Sequence, residues 1–345
     1  MQKFTKFFNF LFILLPPTLF FVMSAFIPGV IIGSLSPFGA LKYIKNISIT
    51  QIPGGKNPFE DFSFEVFEDT SQNSSVTEAI NSNYNVSEEF FSSKESNIVL
   101  KKDACYVKNM THLDADAVKD IMLSPVSFKA EKNSSRPQIL IMHTHTTESY
   151  VPYADAPFDP NYSFRNTDTN LNMAAVGAVM TKTLNDLGYN TIQDITLHDF
   201  PSYNGSYDKS KVTVKSYLEK YPSIKIVLDI HRDAVERNGT LINPVVTIGG
   251  TKYAQIMIIS GADNGYMHMP NYKENLKFAT AVQNSIAKTY PGLARPILFD
   301  YRNYNQQLTT GSILVEVGTH GSTLTQAKNS ARAFAISLAK SLDDM

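Results

Sequence analysis

Polar and apolar positions divide the chain into three textures. The first is an unbroken apolar run, Phe7 to Gly33 (FFNFLFILLPPTLFFVMSAFIPGVIIG), inside a stretch from Lys6 to Lys42 that holds no other charged residue. This exceeds the roughly 20 residues that cross a bilayer as a helix, and no polar face interrupts it as in a core helix. A cleaved signal peptide is the rival reading, but the stretch is long for its apolar region and Met23-Ser24-Ala25 is a mediocre cleavage site. Lys3, Lys6 and the amino terminus precede the span directly, so the positive-inside rule places the rest of the chain outside the cytoplasm. The expectation is a membrane anchor over residues 1–35.

The second texture, residues 36–136, is polar. Between Asn57 and Ser93 there are eight acidic residues and no basic one, with many Ser and Asn. Such a composition predicts a largely unstructured acidic tether. Local order is expected only near its end, with a strand in SNIVLKKDACYV and a short helix in DADAVKDIML.

The third begins after Pro137, where apolar strands alternate with amphipathic helices. Strands are expected at 138–142 (QILIM), 224–230 (IKIVLDI), 255–260 (QIMIIS) and 312–318 (SILVEVG). Helices are expected near 170–186, ended by Gly188, near 209–221, near 272–289 and from about 324. Thr323 and Gln326 have capping-box spacing at the last helix, and Leu324, Ala327, Ala331, Phe334, Ala335, Leu338 and Leu342 then recur on one face. Ile- and Val-rich strands alternating with helices predict an α/β fold: a mainly parallel or mixed sheet with helices on both faces. Residues 137–345 are therefore expected to form the catalytic domain.

Composition narrows the function. The 31 basic and 32 acidic residues leave a net charge of −1, which argues against a nucleic-acid binder. A lone cysteine, Cys105, supplies neither an intramolecular disulfide nor a Cys-rich zinc knuckle. Six of the seven histidines fall in 137–345, where 18 basic and 18 acidic residues cancel. In open α/β sheets functional groups gather beyond the carboxyl ends of strands, and three polar clusters stand there. QILIM leads into His143-Thr-His145-Thr-Thr-Glu148, IKIVLDI into His231-Arg232-Asp233, and SILV into Glu316-Val-Gly-Thr-His320.

A hydrolytic zinc site takes three His or carboxylate ligands and keeps one position open. His145 and Glu148 make an H-x-x-E pair that His231 completes, while Glu316 suits the general base that takes a proton from water. His143, on an extended chain, shares a face with His145 and is a second candidate, as ligand or as a hydrogen bond to the substrate oxyanion. Asp229 either orients His231 or pairs with Arg232. Arg232, His268 and His320 are candidate substrate contacts; His112 and His198 read as surface residues.

HTHTTESY at 143–150, LDIHRDA at 228–234, HMPNYKENLKFA at 268–279 and LVEVGTHGST at 314–323 together resemble the stage II sporulation protein P family. The resemblance implies a zinc amidase-like fold and a peptidoglycan hydrolase related to the zinc-dependent N-acetylmuramoyl-L-alanine amidases, with cleavage of peptide cross-links also associated. It implies Zn2+ as cofactor, His145 and His231 at the two zinc histidines, and Glu316 at the catalytic glutamate. It also implies a place between mother cell and forespore membranes, with stage II sporulation proteins D and M as partners. One departure stands out: the related amidases draw their carboxylate ligand from the start of the helix after the first histidine loop, and here that helix begins near Asn170-Leu-Asn172 without a glutamate. Glu148 is the favoured substitute, with Asp168, Asn172 and His143 as alternatives. Two other readings stay open: a zinc peptidase on wall peptides, suggested by H-x-x-E, and a catalytically silent wall-binding scaffold, which an incomplete metal shell would mark.

Overall fold

A computed structural model describes residues 85–92, 99–152 and 161–345. The expected membrane anchor, and the tether as far as residue 84, lie outside the described residues. Among those described, no helix is long and apolar enough to cross a membrane.

Twelve strands and five helices follow in chain order: β1 Asn85–Glu89, β2 Val99–Lys102, β3 Cys105–Asn109, α1 Ala115–Leu123, β4 Ile139–Met142, α2 Met173–Asp186, β5 Thr191–Gln193, α3 Ser206–Lys220, β6 Ile226–Asp233, β7 Glu236–Arg237, β8 Thr240–Ile248, β9 Thr251–Ala254, β10 Ile256–Gly261, α4 Tyr272–Thr289, β11 Ile297–Asp300, β12 Gly311–Thr319 and α5 Leu324–Asp343. Eight strands make the main sheet in the order β2-β3-β11-β10-β12-β6-β4-β5. Its centre is parallel: β12 with β6, β6 with β4, β4 with β5. Only β10 against β12 and β2 against β3 are antiparallel, so the sheet is mixed.

Strand alternation assigns the two faces. Ile139, Ile141, Ile226, Leu228, Ile230, Val315 and Val317 join the buried side chains of α2, α4 and α5 in one core. Leu140, Met142 and Val227 point the other way and are covered by Val214, Tyr217 and Leu218 of α3. Burial on both faces explains the unbroken apolar runs of β4, β10 and most of β12. Local signals set the helix ends. Asn172 Oδ1 accepts from the Ala174 amide at the start of α2, and Gly188 leaves that helix at φ 88°. The capping box expected at Thr323 and Gln326 forms on α5.

Two parts differ from the sequence reading. The segment expected as tether supplies β2, β3 and α1 to the domain: β3 pairs with β11, and Cys105, Val107 and Val118 are fully buried in the main core. Their short amphipathic runs gain stability from tertiary burial rather than from intrinsic propensity. A second small sheet was not foreseen. In it β8 pairs with β1, β7 and β9, and Arg237 reaches both carboxylate oxygens of Glu89 at 3.0 and 3.1 Å.

Candidate metal centre

Strands β4, β6 and β12 run parallel, so their carboxyl ends reach the same edge of the sheet. Beyond β4 the chain turns through Thr144–Thr147 and brings His145 and Glu148 to the side covered by α3. His231 lies on β6 with the parity of Val227, and Glu316 of β12 is its register partner. A bulge follows Glu316, where Gly318 adopts φ 66°; a side chain there would press within 2.6 Å of Ser322 Oγ and 2.7 Å of Ala254 Cβ. Such a bulge turns the strand just past its functional group.

His145, Glu148 and His231 are the one group of potential metal-ligating side chains among the described residues whose donor atoms all lie within 4.8 Å of one another. His145 Nδ1 is 3.6 Å from Glu148 Oε1, and His231 Nδ1 is 3.6 Å from Glu148 Oε2. Those separations are too long for hydrogen bonds. They match the ~3.4 Å between donors held ~2.1 Å from a tetrahedral zinc, and two imidazoles with one carboxylate is a donor set zinc favours. The residues fit the metal.

Supporting contacts surround the three. Asp229 accepts from the Thr144 amide at 2.8 Å and from Thr144 Oγ1 at 2.7 Å. Its Oδ1 stands 2.8 Å from His231 Nε2, although the N–H direction is off that line and Nε2 counts as unbonded. Arg232 does not pair with Asp229. Its guanidinium donates to the carbonyls of Ser149 (2.9 Å) and Phe164 (3.0 Å), and its amide reaches Glu148 Oε2 at 3.3 Å. Arg232 thus fastens the Glu148 segment to β6.

Charge follows from these contacts. Burial alone would raise Glu148, but the Arg232 charge and the two histidines outweigh it and hold the carboxyl well below its usual range. Burial would lower His231, but Asp229 and Glu148 outweigh it and raise the imidazole well above its ordinary value. The pocket therefore favours positive charge at His231. Glu316 goes the opposite way: burial, then the charge of Asp233, push its carboxyl up to about 8. Its Oε2 is buried without a hydrogen-bond partner among the described residues, a costly arrangement unless the group serves a function.

A family model for stage II sporulation protein P (SpoIIP) matches residues 44–339. The chain belongs to that family. It is 29% identical over 218 residues to stage II sporulation protein P of Bacillus subtilis (strain 168), covering 57% of this chain and 49% of that protein; the chain thus spans about half the length of the curated relative it matches. Among solved structures, the CwlD amidase from Clostridioides difficile in complex with the GerS lipoprotein aligns at 12% identity and a TM-score of 0.37, over 60% of this chain and 100% of that one. The N-acetylmuramoyl-L-alanine amidase AmiC2 of Nostoc punctiforme aligns at 15% and 0.37, over 61% and 99%.

Several residues of this family member stand elsewhere than the sequence suggested. His143 is not beside His145: β4 ends at Met142, so the extended chain that would align them stops, and His143 keeps the parity of Ile141 on the α2 side. Its Nδ1 is 3.0 Å from the Ile230 carbonyl and its Nε2 3.1 Å from Gln193 Nε2, which fixes the ring as a neutral donor–acceptor. Burial drives its ionisation down to about 4. Asn172 caps α2, and Asp168 Oδ1 accepts from Asn170; neither joins the cluster. His198, expected at the surface, is buried between the His143 carbonyl (2.8 Å) and Thr213 Oγ1 (2.9 Å). His320 lies edge-on to Phe164 at 5.0 Å, near Arg232, with Nδ1 buried and unbonded. His268 is exposed in the loop before α4, at φ 54°.

The aromatic surroundings escaped the sequence reading. Tyr203 stacks on the His145 ring at 4.5 Å, with the Arg165 guanidinium 4.8 Å from its centroid. Arg165 in turn holds Asp199 at 2.7 Å, and Asp199 binds Thr147. Two tyrosines flanking Gly205 at the start of α3 were the available signal.

Proposed function

We propose that the chain is an exported zinc-dependent peptidoglycan hydrolase that cleaves the amide between the lactyl group of N-acetylmuramic acid and the L-alanine of the stem peptide. The observation that carries this is the His145, Glu148 and His231 donor set at the carboxyl ends of β4 and β6, with a protonatable carboxyl, Glu316, in register beside it. His145, Glu148 and His231 would hold the zinc. When bound, the metal supplies Lewis acidity that polarises the amide carbonyl and acidifies water.

The protein's own groups do the rest. Asp229 orients His231, and Arg232 anchors the Glu148 segment. A cation held by the three donors would favour the ionised Glu316 carboxylate, the form a general base needs. Glu316 takes the proton of the attacking water as its oxygen bonds the carbonyl carbon. It then returns that proton to the departing nitrogen as the C–N bond breaks.

The topology belongs to the same proposal. Residues 1–35 anchor the chain in the membrane, the acidic segment spaces it, and the hydrolase works outside the cytoplasm. During sporulation this is the space between mother cell and forespore, with stage II sporulation proteins D and M as partners. Zinc-loaded full chain in detergent is incubated with muropeptides and the products are read by mass spectrometry. Release of free stem peptides, lost on chelation and in Glu316→Ala, supports the proposal; no new ends, or equal products from Glu316→Ala, refutes it. The H-x-x-E pairing favours a second reading, a zinc peptidase on the cross-link. Products shortened within the peptide, with no denuded glycan, select that reading instead.

A further inference from the structure

Tyr207, in the first turn of α3, is the residue whose chemistry the proposed reaction leaves unused. Its ring lies edge-on to His145 at 5.5 Å, nearly parallel to His231 at 6.5 Å, and stacked on Tyr304 at 5.1 Å. The hydrogen bonds of Tyr207 with other described residues use its backbone carbonyl, which accepts from Asn305 Nδ2 at 2.7 Å and Ser210 Oγ at 3.2 Å. Its phenol oxygen has no partner among the described residues. A phenylalanine would fill the ring stack equally well, so packing does not explain the hydroxyl.

The residues behind the ring are held at a cost. Tyr304 and Asn305 are consecutive non-glycine residues at φ 45° and 58°, a left-handed conformation that is strained for such residues and clusters at functional sites. Asn305 uses its side chain to tie this turn to α3, at Tyr207 and at Ser210 Oγ (3.1 Å). Arg302 Nη1 donates to the Tyr304 hydroxyl at 3.3 Å. The strained turn thus presses Tyr304 onto Tyr207 and fixes the latter against both candidate zinc histidines.

We infer that Tyr207 is a substrate-contacting catalytic residue of this centre, whose phenol O–H donates a hydrogen bond to the carbonyl oxygen of the scissile amide as negative charge develops there. The inference rests on the hydrolase reading. The phenol keeps its proton throughout, so the proton inventory of the reaction is unchanged. Donors placed at a developing oxyanion act mainly on the transition state, so their loss falls on kcat rather than on KM.

The test compares zinc-loaded full-length wild type and Tyr207→Phe in detergent on the same muropeptides, with zinc affinity measured by chelator competition. The expected result is a kcat about 100-fold lower, with KM and zinc affinity each within about two-fold of wild type. A Tyr207→Phe enzyme with wild-type kcat overturns the inference alone. So does a parallel fall in zinc affinity, which would make the phenol a partner of the metal site rather than of the substrate. A wild type that binds zinc and cleaves nothing overturns the hydrolase reading and this inference with it.

Discussion

Replacing Asp229 by Asn tests how the centre is held. The side chain is 5% exposed, accepts two hydrogen bonds from Thr144 and stands 2.8 Å from His231 Nε2. Asparagine keeps the shape, and its oxygen still serves the Thr144 amide. It loses the negative charge behind His231, and with its oxygen at the Oδ1 position its NH2 group meets Thr144 Oγ1. Outer partners of metal-binding histidines govern about 10–100-fold in metal affinity, which equals about 1.4–2.8 kcal/mol. Zinc affinity of the full chain, measured by competition with a chromophoric chelator, is expected to fall by that factor. Asp229→Ala should fall further and lower the apo melting temperature too, because the Thr144 amide is left buried and unpaired while its hydroxyl keeps only Ser210 Oγ. Wild-type zinc affinity in Asp229→Asn would refute the idea that the carboxylate supports His231.

Three further outcomes follow from other contacts. In Gly177→Ala the new Cβ meets Gln193 Nε2 at 2.5 Å and His143 Nε2 at 2.6 Å; since both groups are hydrogen-bonded, we expect a loss of about 1–3 kcal/mol in urea unfolding, and an unchanged midpoint contradicts the packing. Burial and the Arg232 charge lower His320 to about 3, so between about 6.5 and 3 the unfolded chain takes a proton that the folded chain refuses. This contribution to stability is complete above that upper value and is lost as pH falls, so His320→Gln should flatten the decline of the urea midpoint from pH 7 to 5, whereas curves parallel to wild type argue against it. Arg232→Lys cannot reach the Ser149 and Phe164 carbonyls together; lower melting temperature and weaker zinc binding are expected, and an unaltered protein would show the clamp to be idle.

The central βαβ pattern was legible because β4, β6, β10 and β12 are buried and their apolar runs are continuous. The capping box of α5 was legible for a different reason: its signal is local, three residues apart. The proximity of His145, Glu148 and His231 was legible as well, since strand ends in a parallel sheet converge whatever the loops do. His143 was misplaced because its side depended on where β4 stops, and a turn of the chain at Thr144 reversed the parity that extended backbone would preserve. The small sheet around β8 was invisible for want of a strong alternating pattern; the strand in SNIVLKKDACYV and the helix in DADAVKDIML were legible as local order, but not their place in the domain, because β11, the partner of β3, lies almost 200 residues away. Tyr203 and Tyr207 stand close in sequence on either side of Gly205, but the stacking of Tyr304 on Tyr207 exists only in three dimensions.

One zinc is proposed to sit among His145, Glu148 and His231. Anomalous diffraction at the zinc edge from crystals of the zinc-loaded protein tests it most directly. A single strong peak bounded by those three side chains, absent in His231→Ala and retained in His143→Ala, is the predicted result. A peak held by other residues, or none there in protein that carries stoichiometric zinc, would contradict it.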